Sequence, residues 1–295
     1  MRLAIWDDRR DGYPMDWSTG MLAEAERRGI DARRISKPDD AMPGDTVFVH
    51  MHLHPLVRER DKAAMHKLGQ RDDIRLIPSP EDGRLYDDKR AQTEKFGAWL
   101  PPTWIFTDAD EATKFAQARE TWPIVSKTSE GAGSHNVRML GSRRDALLEA
   151  AAVFNGHGLT TRYGNRQQGY VLWQHFCEGN AGDIRVVKVG RQRLILRRGN
   201  RRDRPMASGS GKLGPVVDLD IETASALEHA DMFFRAAGTK WCAIDLVKLA
   251  GEWRVLEVSC SWAIDGYAGC AFFPDGRRGT EFWGMVIDEI EGGHI

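Results

Sequence analysis

The sequence predicts a mixed protein of successive lobes, a small parallel α/β part followed by an α+β part, and three observations carry that prediction. Short apolar strands alternate with amphipathic helices through residues 1–85, the pattern of a parallel sheet with crossover helices. From residue 170 onward the strands lengthen, and two of them flank a hairpin turn. The 295 residues suffice for two or three lobes, and 41% hydrophobic with 29% charged residues suits a globular chain and excludes disorder as its main state.

In chain order, Arg2–Trp6 is a short buried strand, and a helix from about Ser18 carries Met21, Leu22 and Ala25 on one face before Gly29 stops it. Strands follow at Ile30–Ile35, Thr46–His50 and Ile74–Ile77, with a helix near Leu56–Leu68. Pro78, Pro80 and Asp82-Gly83 punctuate the end of this part. Residues 86–169 hold a helix from Asp88, a Pro101-Pro102 break, strands at Thr103–Phe106, Trp122–Lys127 and Val137–Met139, and helices after Asp110 and Ser142. The polar, Gly- and Arg-rich stretch Asn155–Gln168 reads as a linker or mobile loop. Residues 170–295 then supply strands at Tyr170–His175, Ile184–Val189, Arg193–Arg198, Ala243–Leu249 and Trp253–Val258, with helices over Asp220–Ala237 and Thr280–Glu291. The expected lobes are therefore 1–85, 86–169 and 170–295.

Lysine and arginine total 42 against 43 aspartates and glutamates. That balance argues against a protein that coats nucleic acid with its whole surface. No apolar run reaches the ~20 residues of a membrane span, and Met1–Trp6 followed by Asp7 and Asp8 lacks a signal peptide's apolar stretch. Cys177, Cys242, Cys260 and Cys270 form no Cys-x-x-Cys pair, so a reducing cytoplasm is the expected compartment.

Three features bear chemistry. Lys127 ends a β-branched strand ahead of Glu130-Gly131-Ala-Gly133-Ser134, where glycines would let backbone N–H groups approach phosphate oxygens. An ordinary hairpin with a solvated lysine is the competing account. Between Arg185 and Arg204 there are eight arginines and one lysine against the single Asp203. Such an excess would hold several negative oxygens, or simply be a solvated hairpin. Asp245 and Glu257 interrupt apolar strands on either side of the Ala250-Gly251-Glu252 turn, at similar heights. An acidic residue in an apolar strand is costly unless it is paired or metal-bound. Mg²⁺ is one explanation and a salt bridge to an arginine the other. His50, His52 and His54 alternate, which would suit a metal but more often marks substrate-facing or solvated groups.

Taken in order, these features make the chain resemble the ATP-grasp ligases, nearest in style to glutathione synthetase and the ribosomal-protein glutamate ligases. The matching residues are Asp88-Lys89, Pro123–Lys127 with Glu130-Gly131, Trp173–Phe176, Gly182–Arg185, Arg197-Arg198, Ala243–Asp245 and Val255–Ser259. The resemblance implies an ATP-grasp fold, with a small N-terminal α/β lobe and the nucleotide between central and C-terminal lobes. It implies that Lys89 and Lys127 meet the ATP phosphates, that Glu130 and Gly131 belong to the nucleotide site, that Gln174, His175 and Phe176 form the hinge beside adenine, and that Glu178 meets the ribose. Arg185 would bind the acceptor or acyl phosphate, Arg197 or Arg198 the transferring phosphoryl group, and Asp245, Glu257 and Ser259 the Mg²⁺. The chain departs from the family pattern with Ser134-His135-Asn136-Val137 in place of Gly-x-Gly-Val, His175 in place of an acidic residue, and Ser259 in place of asparagine.

The expected activity is ATP-dependent joining of a carboxylate to an amine through an acyl phosphate, releasing ADP and phosphate. A phosphotransferase acting on a hydroxyl, and a nucleotide-binding module without catalysis, are the alternatives. The arginine band suits an anionic acceptor.

Overall fold

A computed structural model of the chain describes residues 1–6, 16–131, 136–161, 163–200, 213–262, 264 and 267–295. Four parallel strands, β1 (Arg2–Trp6), β2 (Asp31–Ile35), β3 (Asp45–Val49) and β4 (Arg75–Ile77), form a sheet in the order β2-β1-β3-β4. Parallel neighbours need crossovers, supplied here by α1 (Asp16–Arg27) and α2 (Pro55–Gly69). Pro55 opens α2, where its missing N–H costs nothing. The proline-rich punctuation after β4 instead winds into α3 (Pro80–Leu85), because the Ser79 hydroxyl caps it by accepting from Asp82 N.

α4 (Lys89–Phe96) starts where the Asp88 carboxylate caps Ala91 N at 3.0 Å. It leads into β5 (Thr103–Phe106), α5 (Ala109–Ala118), β6 (Ile124–Lys127), β7 (Val137–Leu140) and α6 (Arg143–Asn155). The stretch expected to be a linker carries a small two-stranded sheet, β8 (Leu159–Thr160) with β9 (Arg166–Gln167). It is anchored: Ser129 N donates to the Gln167 side-chain oxygen at 2.7 Å. The strand after it, β10 (Val171–His175), corrects the expected boundary at residue 169. It lies in the middle of the second sheet, in the order β5-β10-β6-β7, so this part of the chain extends through residue 175. Its alternating pattern alone could not say which neighbours it would pair with.

The third sheet holds β11 (Gly182–Val189), β12 (Gln192–Gly199), β13 (Leu213–Pro215), β14 (Trp241–Leu249) and β15 (Glu252–Ser259) in the order β13-β12-β11-β14-β15, with β16 (Phe272–Phe273) on β12. α7 (Ile221–Ala237) and α8 (Phe282–Glu291) complete it. The β14–β15 turn places Ala250 at φ 51° and Gly251 at φ 87°, the left-handed pair that a tight two-residue hairpin requires. Ile184, Val186, Ile195, Ile244 and Leu246 pack on Ala226, Ala230 and Phe233 of α7. Val187, Val189, Leu194 and Trp241 on the opposite face share a core with β1, β3, α1 and α8. The segment 1–85 is thus a separate sheet but not a separate core. The second sheet has its own core of Ile124, Leu140, Val171 and Trp173 against α5 and α6. Among the described residues no helix is long and apolar enough to cross a membrane.

Candidate active site

β6 ends with Lys127 and α4 begins with Lys89, and the two buried lysines line one cavity with Leu172, Gln174 and Leu256. Lys89 Nζ donates to the Gly131 carbonyl at 2.7 Å and pairs with Glu257 Oε1 at 3.1 Å and Asp87 Oδ1 at 3.7 Å. Burial opposes its charge, yet Glu257 and Asp87 outweigh burial and raise its pKa. Lys127 has weaker support, a 3.5 Å hydrogen bond to the Leu256 carbonyl, and burial takes it down to about 8. That carbonyl is available because β15 bulges. Asp245 pairs with Glu257 but Leu246 pairs with Val255, leaving Leu256 as the extra residue.

Gly131 sits at φ 129°, and a Cβ there would lie 2.2 Å from the Asn136 amide, so only glycine fits. Its N–H donates to Asp87 Oδ1 at 2.7 Å. Asp87 in turn receives Arg58 Nη1 at 2.6 Å, and Arg58 Nη2 reaches Glu130 Oε1 at 2.8 Å. Glu130 is therefore committed to a guanidinium from α2. Residues 132–135, the rest of the expected phosphate loop, lie outside the described residues, as do Arg201, Arg202 and Arg204 of the arginine band.

On β10 the buried Gln174 donates to Thr103 Oγ1 at 2.8 Å, and His175 N donates to the Pro102 carbonyl at 2.8 Å. Phe176 is half-buried and Glu178 exposed in the segment that leaves this strand for β11. Of the expected hinge residues, Gln174 lines the lysine cavity, His175 ends β10 and Phe176 lies on the chain that leads from it to β11.

The third sheet gathers its charges on one face, since Asp183 faces Arg198, Arg185 faces Asp245, and Asp245 faces Glu257 across the ladders. Arg185 Nε and Nη2 donate to Asp245 Oδ1 and Oδ2 at 2.7 and 3.0 Å. Arg198 Nη2 is 2.7 Å from Asp245 Oδ2, while Arg198 Nε and Nη2 hold Asp183 at 2.6 and 2.7 Å. Burial pushes the Asp245 carboxyl up, but the two guanidinium groups overcome it and hold the pKa well below the carboxylate range. Asp183, buried beside the Asp245 charge, is raised. The salt-bridge account of Asp245 therefore applies in this structure.

Arg197 does not join them. It points to the opposite face, pairs with the α7 cap Asp220, and has Glu222 at 3.9 Å. Adjacent strand residues face opposite ways, so the Arg197-Arg198 pair could supply only one side chain to this site. Glu257, 31% exposed at its side chain, is the open carboxylate. Ser259 lies two residues on, on the same face, but its hydroxyl donates to the Ser261 carbonyl and accepts from Ser261 N. Among the described residues no three His, Cys, Asp or Glu side chains converge as a metal site. The three histidines diverge: His50 stacks on Trp17 at 4.7 Å, His52 Nδ1 meets Asp61 at 3.0 Å, and His54 packs on Tyr163 at 5.0 Å.

Asp183 falls within the Gly182–Arg185 match without a role of its own, and Arg58 and Asp87 are not legible as site residues. Asp87 adjoins the Asp88-Lys89 pair, which was the one available signal; Arg58 has none, because its partners are remote in sequence.

No family model and no curated protein matches the chain. Its fold matches solved structures over nearly its whole length. The RimK-domain ATP-grasp protein of Sphaerobacter thermophilus superposes with a TM-score of 0.62 at 18% identity, covering 98% of each chain. The D-cycloserine synthetase DcsG gives 0.62 at 18%, covering 98% of this chain and 99% of its own. The ATP-grasp ligase PsnB, solved with minimal precursor, Mg and ADP, gives 0.61 at 14%, covering 98% of both. The chain has the ATP-grasp fold.

Proposed function

We propose that this ATP-grasp fold works as an ATP-dependent carboxylate–amine ligase, forming an amide or peptide bond through an acyl phosphate and releasing ADP and phosphate. The observation that carries the reading is the convergence of Lys89, Lys127, Glu257 and the Arg185–Asp245–Arg198 network between the second and third sheets. A carboxylate is a poor acyl donor, and phosphorylating it requires fixed cations around oxygens whose charge is changing. Lys89 and Lys127 are pre-placed for phosphate oxygens, and Gln174 with its hinge strand for the base. Arg185, bidentate on Asp245, can turn one N–H to an acyl phosphate. Such an intermediate hydrolyses readily, so the reaction requires water to be kept from it.

Asp245 and Glu257 are register partners with all-oxygen donors, the chemistry that suits Mg²⁺ with phosphate oxygens and water as its other ligands. Glu257, the open carboxylate, would hold the ion; Asp245 would join it by giving up an oxygen now held by Arg185 or Arg198, and Ser259 by turning its hydroxyl from Ser261, and the ion would neutralise the phosphate charge during transfer. PsnB, solved with Mg and ADP, supports the use of Mg²⁺ together with the nucleotide. The small-molecule and precursor-peptide chemistry of DcsG and PsnB supports an amino acid or peptide as substrate.

The test is ADP release by the purified protein with ATP, Mg²⁺, the twenty amino acids as acids and the same set as amines. Release that requires both an acid and an amine supports the ligase. A phosphorylated product stable to hydroxylamine would replace it with a phosphotransferase, and nucleotide binding without turnover would replace it with a binding module.

A further inference from the structure

We infer that His52 and Asp61 form a base pair of residues that takes the proton from the incoming amine, an assignment that rests on the ligase reading above. Asp61 is fully buried on α2, and three groups fix its carboxylate: Trp6 Nε1 at 3.0 Å on Oδ1, and His52 N at 3.1 Å with His52 Nδ1 at 3.0 Å on Oδ2. A carboxylate on Nδ1 keeps the proton on that nitrogen and leaves Nε2 as an acceptor, on the ring edge turned away from α2. The His52 side chain is 23% exposed, so a substrate can reach it.

Its neighbours in sequence fix where that open edge lies. One residue earlier, Met51 N donates to Ser261 Oγ at 3.2 Å and the Met51 carbonyl accepts from the same hydroxyl at 3.0 Å. Ser261 is bonded to Ser259, the end of the strand that carries Glu257. Two residues later, His54 packs on Tyr163 in the connection of the small β8–β9 sheet, which the Ser129–Gln167 hydrogen bond ties to the end of β6. His52 thus stands beyond the carboxyl end of β3, the usual ligand edge of a parallel sheet, in a segment that touches both the residues following β15 and the β8–β9 connection. His50, 6.5 Å away ring to ring, is held neutral because burial takes it down to about 3, so it does not repel a proton gained by His52. Arg60 Nη2 lies 3.7 Å from Asp61 Oδ1.

The step balances. An ammonium substrate gives one proton to His52 Nε2, and the freed lone pair forms the C–N bond. The acyl C–O bond then breaks with its electrons on phosphate, which takes the second N–H proton and leaves as hydrogen phosphate. His52 returns its proton to solvent.

Hydroxylamine, a nucleophile already unprotonated at neutral pH, needs no such base. With ATP, Mg²⁺ and the amino-acid panel as acids, His52→Gln is expected to lose amide formation at least 100-fold, the range of general-base catalysis. Its hydroxamate formation with hydroxylamine should change less than threefold. Parallel loss of both products, or loss of neither, overturns the assignment. Absence of hydroxamate with every acid in the wild type would instead reject the ligase reading. In either case ¹⁵N NMR of the histidine-labelled wild-type protein decides the geometry without substrate: the pair requires Nδ1–H with a bare Nε2, and an Nε2–H tautomer refutes it.

Discussion

The two faces of the β12-β11-β14-β15 sheet use the same strands for opposite ends. One face presents Ile184, Val186, Ile195, Ile244 and Leu246 to α7 in a dry core. The other presents Asp183, Arg185, Arg198, Asp245 and Glu257, linked by charge-assisted bonds of 2.6–3.0 Å where they pair with each other. The apolar face tolerates approximate replacement, because hydrophobic packing is non-directional. The charged face does not, since each buried ion is stable only while its partner remains. Stability should therefore be lost from either face, but turnover from one alone.

The largest effect is expected at the open carboxylate and its lysine neighbour. Glu257→Ala and Lys127→Ala should each lower ADP formation by about 10³-fold or more while keeping the wild-type circular dichroism spectrum; wild-type turnover in either would remove the site from this face. Next comes Arg198→Ala, which strands Asp183 and leaves Asp245 with one guanidinium. A loss of about 3–5 kcal/mol in urea unfolding, with turnover below one hundredth per folded molecule, is expected. Phe233→Ala on the apolar side should cost a similar ~3–5 kcal/mol by opening a cavity, yet leave turnover per folded molecule unchanged. If the two variants lose turnover equally, the faces are not functionally distinct.

Lys127 sharpens the contrast through pH. Its pKa of about 8 in the free protein lies below the ordinary lysine value, so the free side chain is mostly neutral above pH 8. Phosphate oxygens favour the ammonium form, and ADP binding near pH 9 should therefore take up close to ~1 proton. Calorimetry in buffers of different ionisation enthalpy measures this, and Lys127→Met should abolish it. The smallest effect belongs to Arg197→Ala. Its exposed pair with Asp220 predicts no resolvable change in urea unfolding and turnover within threefold of wild type.

Much of this arrangement is legible in the sequence. Alternation within 1–85 implies the parallel sheet, and the Ala250-Gly251-Glu252 turn signal puts Asp245 and Glu257 at similar heights; the two-residue turn alone would set Asp245 against Leu256, and the bulge brings Glu257 opposite it. What escaped was whatever depended on remote partners. Nothing near Arg58 in sequence announces that it will be buried against Asp87 and Glu130. β10 reads equally well as the first strand of the third sheet or the middle strand of the second. The bulge at Leu256 interrupts no sequence pattern, so the carbonyl it offers to Lys127 could not be foreseen. Ser259 was legible as a residue but not as a geometry, since its hydroxyl is occupied by Ser261 two residues on.

The core shared by β1, β3 and α1 with α8 also bears on how the chain is made. Leu3, Ile5, Met21 and Phe48 pack with Phe282, Met285, Val286 and Ile290, and Arg75 Nη1 donates to the Ile290 carbonyl at 2.9 Å. During synthesis, the first sheet leaves the ribosome long before residues 282–291 exist. Until then its inner surface has no lasting cover, whereas the second sheet can close its own core as soon as β10 emerges. Of the three sheets, the one translated earliest is among the last to be finished.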